Sequence, residues 1–221
     1  MTTWLVHILP FVEQSSVYNQ YNRKLNYNNA ANLPVGNLQV PIFYCSAVAP
    51  NRTGNSSEAS GGTLNLSTHY YGNMGPTGTG STGSKTITYG EGGSNNSHFS
   101  KDGVLGQDTH VLLTEIIDGT SNTLMAAERS QIEPGGTNSY RSWIRGCNGG
   151  CGASKNVTNP INSANYNGSN NFNDISFGST HTGGANFVLA DGSVRFISQT
   201  IDMNVYKAAA SRNSGEALPL P

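Results

Sequence analysis

The segment that most restricts what this chain can fold into lies near its C-terminal end. Residues 185–190 (Ala-Asn-Phe-Val-Leu-Ala) and 193–198 (Ser-Val-Arg-Phe-Ile-Ser) flank Asp191 and Gly192. An Asp-Gly pair between two strand-like runs predicts a hairpin with a two-residue type I′ turn, since glycine accepts a positive φ freely and aspartate tolerates one. In that register Leu189 pairs with Val194 and Phe187 with Phe196. Four large apolar side chains then share one face, which is expected to pack on the core. Asn186, Val188, Arg195 and Ile197 take the other face. Downstream, Asp202 has the chemistry to cap a helix running through Tyr206 and Ala210, ended by 213–215 (Asn-Ser-Gly).

Upstream, residues 4–9 are apolar except His7. Pro10 suits a helix start, and Phe11, Val17, Tyr18, Tyr21 and Leu25 recur at rough helical spacing, predicting a helix near 10–23. Residues 40–48 read as a strand opened by Pro41, 64–71 as a second strand and 123–128 as a third. Residues 104–117 contain a candidate short helix stopped by Asp118 and Gly119. Stretches 50–62, 72–93 and 147–173 are dense in Gly, Asn, Ser and Thr and read as loops. The expectation is an α+β class with an antiparallel sheet, long loops and a C-terminal hairpin. At 221 residues the length suits a single domain over 1–221.

Charged residues make up 11% of the chain, against roughly 25% in an ordinary soluble domain, so the surface is neutral-polar. A net charge of −1 with scattered Lys and Arg argues against nucleic acid as a partner. No run approaches the roughly 18 apolar residues of a membrane span, and the opening residues carry neither a basic region nor an apolar signal core. Cys147 and Cys151, inside 146–152 (Gly-Cys-Asn-Gly-Gly-Cys-Gly), are close enough for a small disulfide loop in an oxidising compartment, with free thiols the alternative. A structural zinc site would need a second ligand pair that this pattern lacks. Cys45 is then left without an internal partner.

His181, nine residues and then Asp191-Gly192 resemble the H-x9-DG signature of prepilin-type, processing-associated proteins abundant in Planctomycetes. Residues 4–14 (Trp-Leu-Val-His-Ile-Leu-Pro-Phe-Val-Glu-Gln) resemble that family's segment after its N-terminal helix. Residues 117–125 (Ile-Asp-Gly-Thr-Ser-Asn-Thr-Leu-Met) are similar to its central motif, while 70–73 and 211–216 resemble further blocks. The resemblance singles out His181, Asp191, Gly192, Asp118, Gly119 and Asn122 as structural motif residues, with 118–122 a rigid loop. Members resemble type II secretion pseudopilins and type IV pilins, with a processed N-terminus, a long apolar helix and a β-rich C-terminal domain. The resemblance therefore implies a pilin-like globular domain at the cell surface or on the periplasmic face, self-associating into a filament or with other pilin-like subunits. Membrane contact would run only through an N-terminal helix missing from this sequence. It also implies that the partner of Cys45 lies in that helix; a bond from Cys45 to Cys147 or Cys151 would contradict this.

Enzyme chemistry finds little support. His181 and Asp191 are separated by the proposed strand, about 25–30 Å at roughly 3.3 Å per residue, so they are expected at opposite ends of a hairpin arm. His181 then orders a turn, and Asp191 is explained by turn chemistry. His7, His69, His98 and His110 have no metal-site spacing, and 78–86 fails as a phosphate loop because Ser84 separates its second glycine from Lys85. No G-x-S-x-G elbow is present. Structural calcium is the one cofactor kept open, although the Asp-Gly pairs at 102, 118 and 191 are explained as turns. The alternative to an assembly subunit is a surface glycan-binding module, with Trp143 and the Tyr70–Tyr71 pair as stacking candidates.

Overall fold

Five strands form the central sheet: β1 (Tyr70–Pro76), β2 (Leu124–Glu128), β3 (Ser154–Val157), β4 (Gly184–Leu189) and β5 (Val194–Ser198). Their order is β5-β4-β2-β1-β3, with every neighbouring pair antiparallel except β1 and β3. Among the described residues three α-helices accompany them: α1 (Trp4–Ile8), α2 (Ser15–Gln20) and α3 (Met203–Ala210). The chain is thus α+β, as expected, with one parallel strand pair in the sheet. The computed structural model describes residues 2–83, 85–129, 140–148, 150–215, 218 and 220. Ser84, Gly149 and Glu216, which belong to segments read above, lie outside the described residues.

The C-terminal hairpin forms, but in another register. Gly192 N–H donates to Leu189 O (3.0 Å) and Leu189 N–H to Ser193 O (2.9 Å), enclosing a three-residue loop. Within it only Gly192 has a positive φ, 85°. That geometry is a type I turn closed by a left-handed glycine and a bulge, in place of a type I′ turn, which needs positive φ at both central residues. The extra loop residue shifts the pairing by one, so Val188 faces Val194, Phe187 faces Arg195 and Asn186 faces Phe196. A one-residue shift exchanges the two faces of a strand. Phe187 and Leu189 stay in the core, but Val194 and Phe196, expected beside them, are 62% and 51% exposed, and Ile197 is buried instead. The loop is held from outside: Ala190 N–H donates to Thr123 O (2.8 Å) and Asp191 N–H to Thr120 O (3.1 Å).

Other elements also depart from expectation. The helix near 10–23 is replaced by α1, a 3-10 turn at Leu9–Val12 and α2. Glu13 breaks the run with a left-handed φ of 61°. Residues 40–48 contain a 3-10 turn, Pro41–Phe43, and no strand. In 64–71 only the two-residue strand Thr63–Leu64 and the start of β1 are extended. The helix expected within 104–117 is reduced to a 3-10 turn, Leu113–Glu115. The loops at 72–93 and 147–173 contain, respectively, most of β1 with a small hairpin (Thr79–Ser81 and Thr86–Thr88) and β3.

Two apolar cores lie on opposite sides of this framework. On the inner face of the sheet, Tyr71, Leu124, Ala127, Phe187, Leu189 and Ile197 meet Tyr206, Ala209 and Ala210 of α3. Phe187 stands edge-on to Tyr206 with ring centroids 5.8 Å apart. The helix starts where its cap permits, Asp202 Oδ1 accepting the N–H groups of Asn204 (2.8 Å) and Val205 (3.3 Å). The second core gathers Leu5, Val6, Leu9, Val17, Phe43, Leu66 and Trp143 around the N-terminal helices. Trp4 Nε1–H donates to Ala153 O at 2.8 Å, tying α1 to the start of β3.

Candidate functional site

The residues singled out by motif fall at two ends of the hairpin arm. At one end, Asp118 Oδ1 accepts Gly215 N–H (2.9 Å) and Oδ2 accepts Ser214 N–H (2.9 Å), so the 118–122 loop clasps the segment after α3. Gly119 takes a φ of 94° and its carbonyl receives Asn122 N–H (3.0 Å) and Thr123 Oγ1–H (3.0 Å). Asp191 Oδ1 accepts from Ser193 N–H (2.9 Å) and Ser193 Oγ–H (2.6 Å). Asp102 Oδ2 accepts Gly90 N–H (2.5 Å). The carboxylates of all three Asp-Gly pairs are therefore engaged by backbone N–H groups, but only Asp191 makes the local contact of turn chemistry, to a residue two positions on, whereas Asp102 and Asp118 reach segments distant in sequence. Cys147 and Cys151 form a disulfide, and Cys45 is a free, buried thiol.

At the other end His181 does more than order a turn. Its Nε2 lies 3.6 Å from Cys45 Sγ and 3.4 Å from Glu128 Oε1. The three donor atoms all lie within 4.8 Å of one another. Glu128 is the last residue of β2 and is 2% exposed; Cys45 is 6% exposed, while the His181 side chain retains 38%. Each is oriented by a second contact. Asn186 N–H donates to Glu128 Oε2 (2.6 Å), Ser179 Oγ accepts His181 N–H (3.1 Å), and Cys45 N–H donates to His69 Nδ1 (3.1 Å). Burial holds the His69 pKa down, consistent with a neutral ring that accepts at Nδ1.

His98 makes an instructive contrast. Its Nε2 is 2.7 Å from Glu91 Oε2 and its Nδ1 3.7 Å from Asp174 Oδ2, so its two carboxylates sit on opposite ring nitrogens. Burial opposes charging it, but the hydrogen bond from Glu91 and the charges of both carboxylates outweigh that, and its pKa is raised. That is a clamp for an imidazolium. At His181 both neighbours address a single nitrogen.

The outer face of the sheet carries a second feature. Cross-strand rows Val194–Val188–Ala126 and Phe196–Asn186–Glu128–Tyr70 lie on it. Trp4, Ile8, Ile42, Tyr70, Val188 and Val194 line an apolar groove of about 590 Å³, at whose floor Glu128 and Asn186 also appear. Ile42 is 57% exposed. Leu112, Leu113 and Ile117, close in sequence and outside the groove lining, are also exposed. Of the stacking candidates for glycan, Trp143 and Tyr71 are buried in the two cores, whereas Tyr70 is partly exposed and lines the groove.

Among the described residues no helix is long and apolar enough to cross a membrane. The fold and its motif-bearing loops define an α+β architecture built on a five-stranded mixed sheet, one face packed on α3 and the other partly covered by α1. Over residues 2–204 the chain matches, and belongs to, the family described as protein of unknown function (DUF1559). No curated protein and no solved structure matches it.

Proposed function

We infer that this chain is the globular part of a structural or assembly subunit of an extracellular filament, pseudopilus-like fibre or surface layer, acting by contact and not by turnover. The observation that carries this reading is the uncovered apolar strip on the outer sheet face, where Val194, Phe196 and Ile42 are each more than half exposed. Contiguous exposed apolar surface of this kind marks an interaction site. Its occupant is an apolar helix from the same or a neighbouring subunit, of the kind that the resemblance to pilin-like proteins implies ahead of Trp4. The exposed Leu112, Leu113 and Ile117, outside the groove, support the same reading, because an open filament uses two different surfaces of each subunit.

The test uses the native protein purified from its source, with sedimentation and cross-linking as readouts, beside a form carrying Val194→Lys and Phe196→Glu. Loss of assembly with an unchanged melting temperature is the expected result. Equal assembly by the variant, or a wild-type protein that stays monomeric at all concentrations, would refute the reading.

A further inference from the structure

We propose that Cys45, Glu128 and His181 form a binding site for a divalent transition-metal ion of zinc type, with one coordination position open toward the outer groove. The inference rests on how the three donors are arranged and on Cys45 being the free thiol it is here, not bonded to a cysteine of an N-terminal helix. With bonds of ~2.3 Å to sulfur and ~2.0–2.1 Å to nitrogen and oxygen, a tetrahedral zinc sets S and N ligands roughly 3.6 Å apart and N and O ligands roughly 3.4 Å apart. The corresponding separations here are 3.6 Å for Cys45 Sγ to His181 Nε2 and 3.4 Å for His181 Nε2 to Glu128 Oε1.

A nucleophilic relay is the competing arrangement of the same residue types, and the geometry disfavours it. In a relay the carboxylate orients one ring nitrogen while the thiol gives its proton to the other. Here thiol and carboxylate converge on the same Nε2, which can carry only one proton and so satisfies one neighbour at a time. Three donors within 4.8 Å of one another, two of them buried, are instead what a cation resolves. A thiolate with an imidazole selects zinc-type ions over calcium and magnesium, which favour all-oxygen sites. On binding, the Cys45 S–H bond breaks, its proton passes to solvent, and a sulfur–metal bond forms; His181 binds as neutral imidazole and Glu128 as carboxylate.

The supporting contacts fit this role. Asn186 N–H fixes the Glu128 oxygen that faces away from His181, and the Ser179 hydroxyl, itself donating to Gly184 O at 2.7 Å, fixes the backbone at His181. Such outer contacts hold ligands in place before the metal arrives. The partly exposed His181 gives an entry path, and Glu128, paired across the strands with Tyr70, is the donor that borders the groove.

The test is titration of the purified full chain with zinc chloride by calorimetry and with cobalt(II) chloride by absorption spectroscopy. A single equivalent of each is expected, with a thiolate-to-cobalt charge-transfer band in the near ultraviolet and ligand-field bands of tetrahedral intensity. Cys45→Ser should abolish the charge-transfer band, and His181→Ala and Glu128→Gln should each weaken zinc by at least about tenfold. A second readout needs no variant: zinc should slow modification of the Cys45 thiol by an alkylating reagent, and chelator should restore the rate. No saturable binding, a cobalt spectrum without the charge-transfer band, zinc affinity unchanged in His181→Ala, or a native chain in which Cys45 is held in a disulfide would each overturn the proposal.

Discussion

The two faces of the central sheet are made by alternate residues of the same strands, yet they solve different problems. The inner face is closed: Phe187, Leu189 and Ile197 pack against α3, and the buried amide of Asn73 stitches the layers by donating to both Leu124 O and Ala210 O at 2.8 Å. The outer face is closed only where α1 covers it and stays apolar and open beyond, with a buried carboxylate, Glu128, in the row that starts at Phe196. The inner face is sealed along its length by one helix, whereas the outer face is sealed by the N-terminal core over part of its area and leaves Val194 and Phe196 exposed over the rest. The difference follows from the hairpin, where a single additional loop residue decides which side chains go where.

That division can be broken most directly at Phe187. Phe187→Ala empties a site between Phe177 and Tyr206 and should cost about 3–5 kcal/mol in chemical denaturation; a loss below about 1 kcal/mol would mean that the inner face is not the stabilising one. Asn73→Ala removes the donors to two carbonyls and should cost about 1–3 kcal/mol by the same measurement.

A pH experiment sharpens the comparison at β3. The Lys155 ammonium is fully buried over the Phe172 ring, 3.7 Å from its centroid, and donates to Phe172 O at 2.7 Å. Burial, reinforced by the charges of Arg129, Arg141 and Arg145, drives its pKa well down. Between that lowered value and the unfolded value near 10.4 the unfolded chain binds the extra proton, so stability should rise with pH, by up to about 1.4 kcal/mol per unit. Lys155→Met should flatten the slope; an unchanged slope would place its origin elsewhere. The smallest effect is expected on the outer face, where Phe196→Ser should change folding stability by no more than about 1 kcal/mol. A larger loss would show that this face is part of the core.

How legible all this was from sequence varies with the range of the interactions. The Asp202 cap, the strand ending at Glu128 and the existence of the hairpin depend on neighbours a few residues apart, and local chemistry indicated them. The hairpin register did not follow from local pattern, because Val194, Phe196 and Ile197 put apolar residues on both faces of β5, and because the turn is held by Thr120 and Thr123, some 70 residues away. The N-terminal helix was overextended because apolar spacing continues through Glu13, whose left-handed backbone ends it. The Cys45, Glu128 and His181 cluster was illegible for the same reason as the register: its members come from three distant segments, Cys45 and His181 being 136 residues apart. One signal was present. Glu128 continues the alternation of Ala126 on β2, so a carboxylate stands where the pattern calls for an apolar side chain.

The span from His181 to Asp191 acts as a ruler. β4 carries the chain from the thiol and carboxylate at one end to the docked glycine turn at the other, and both ends are fastened to other parts of the molecule. Adding one residue between them would turn Phe187 outward and Val188 inward. Adding two would restore the faces but lengthen the arm by roughly 6.6 Å, so that either His181 would leave Glu128 or Asp191 would leave Thr120. Tolerance to insertion in this stretch should therefore be close to nil, although its two ends do unrelated work.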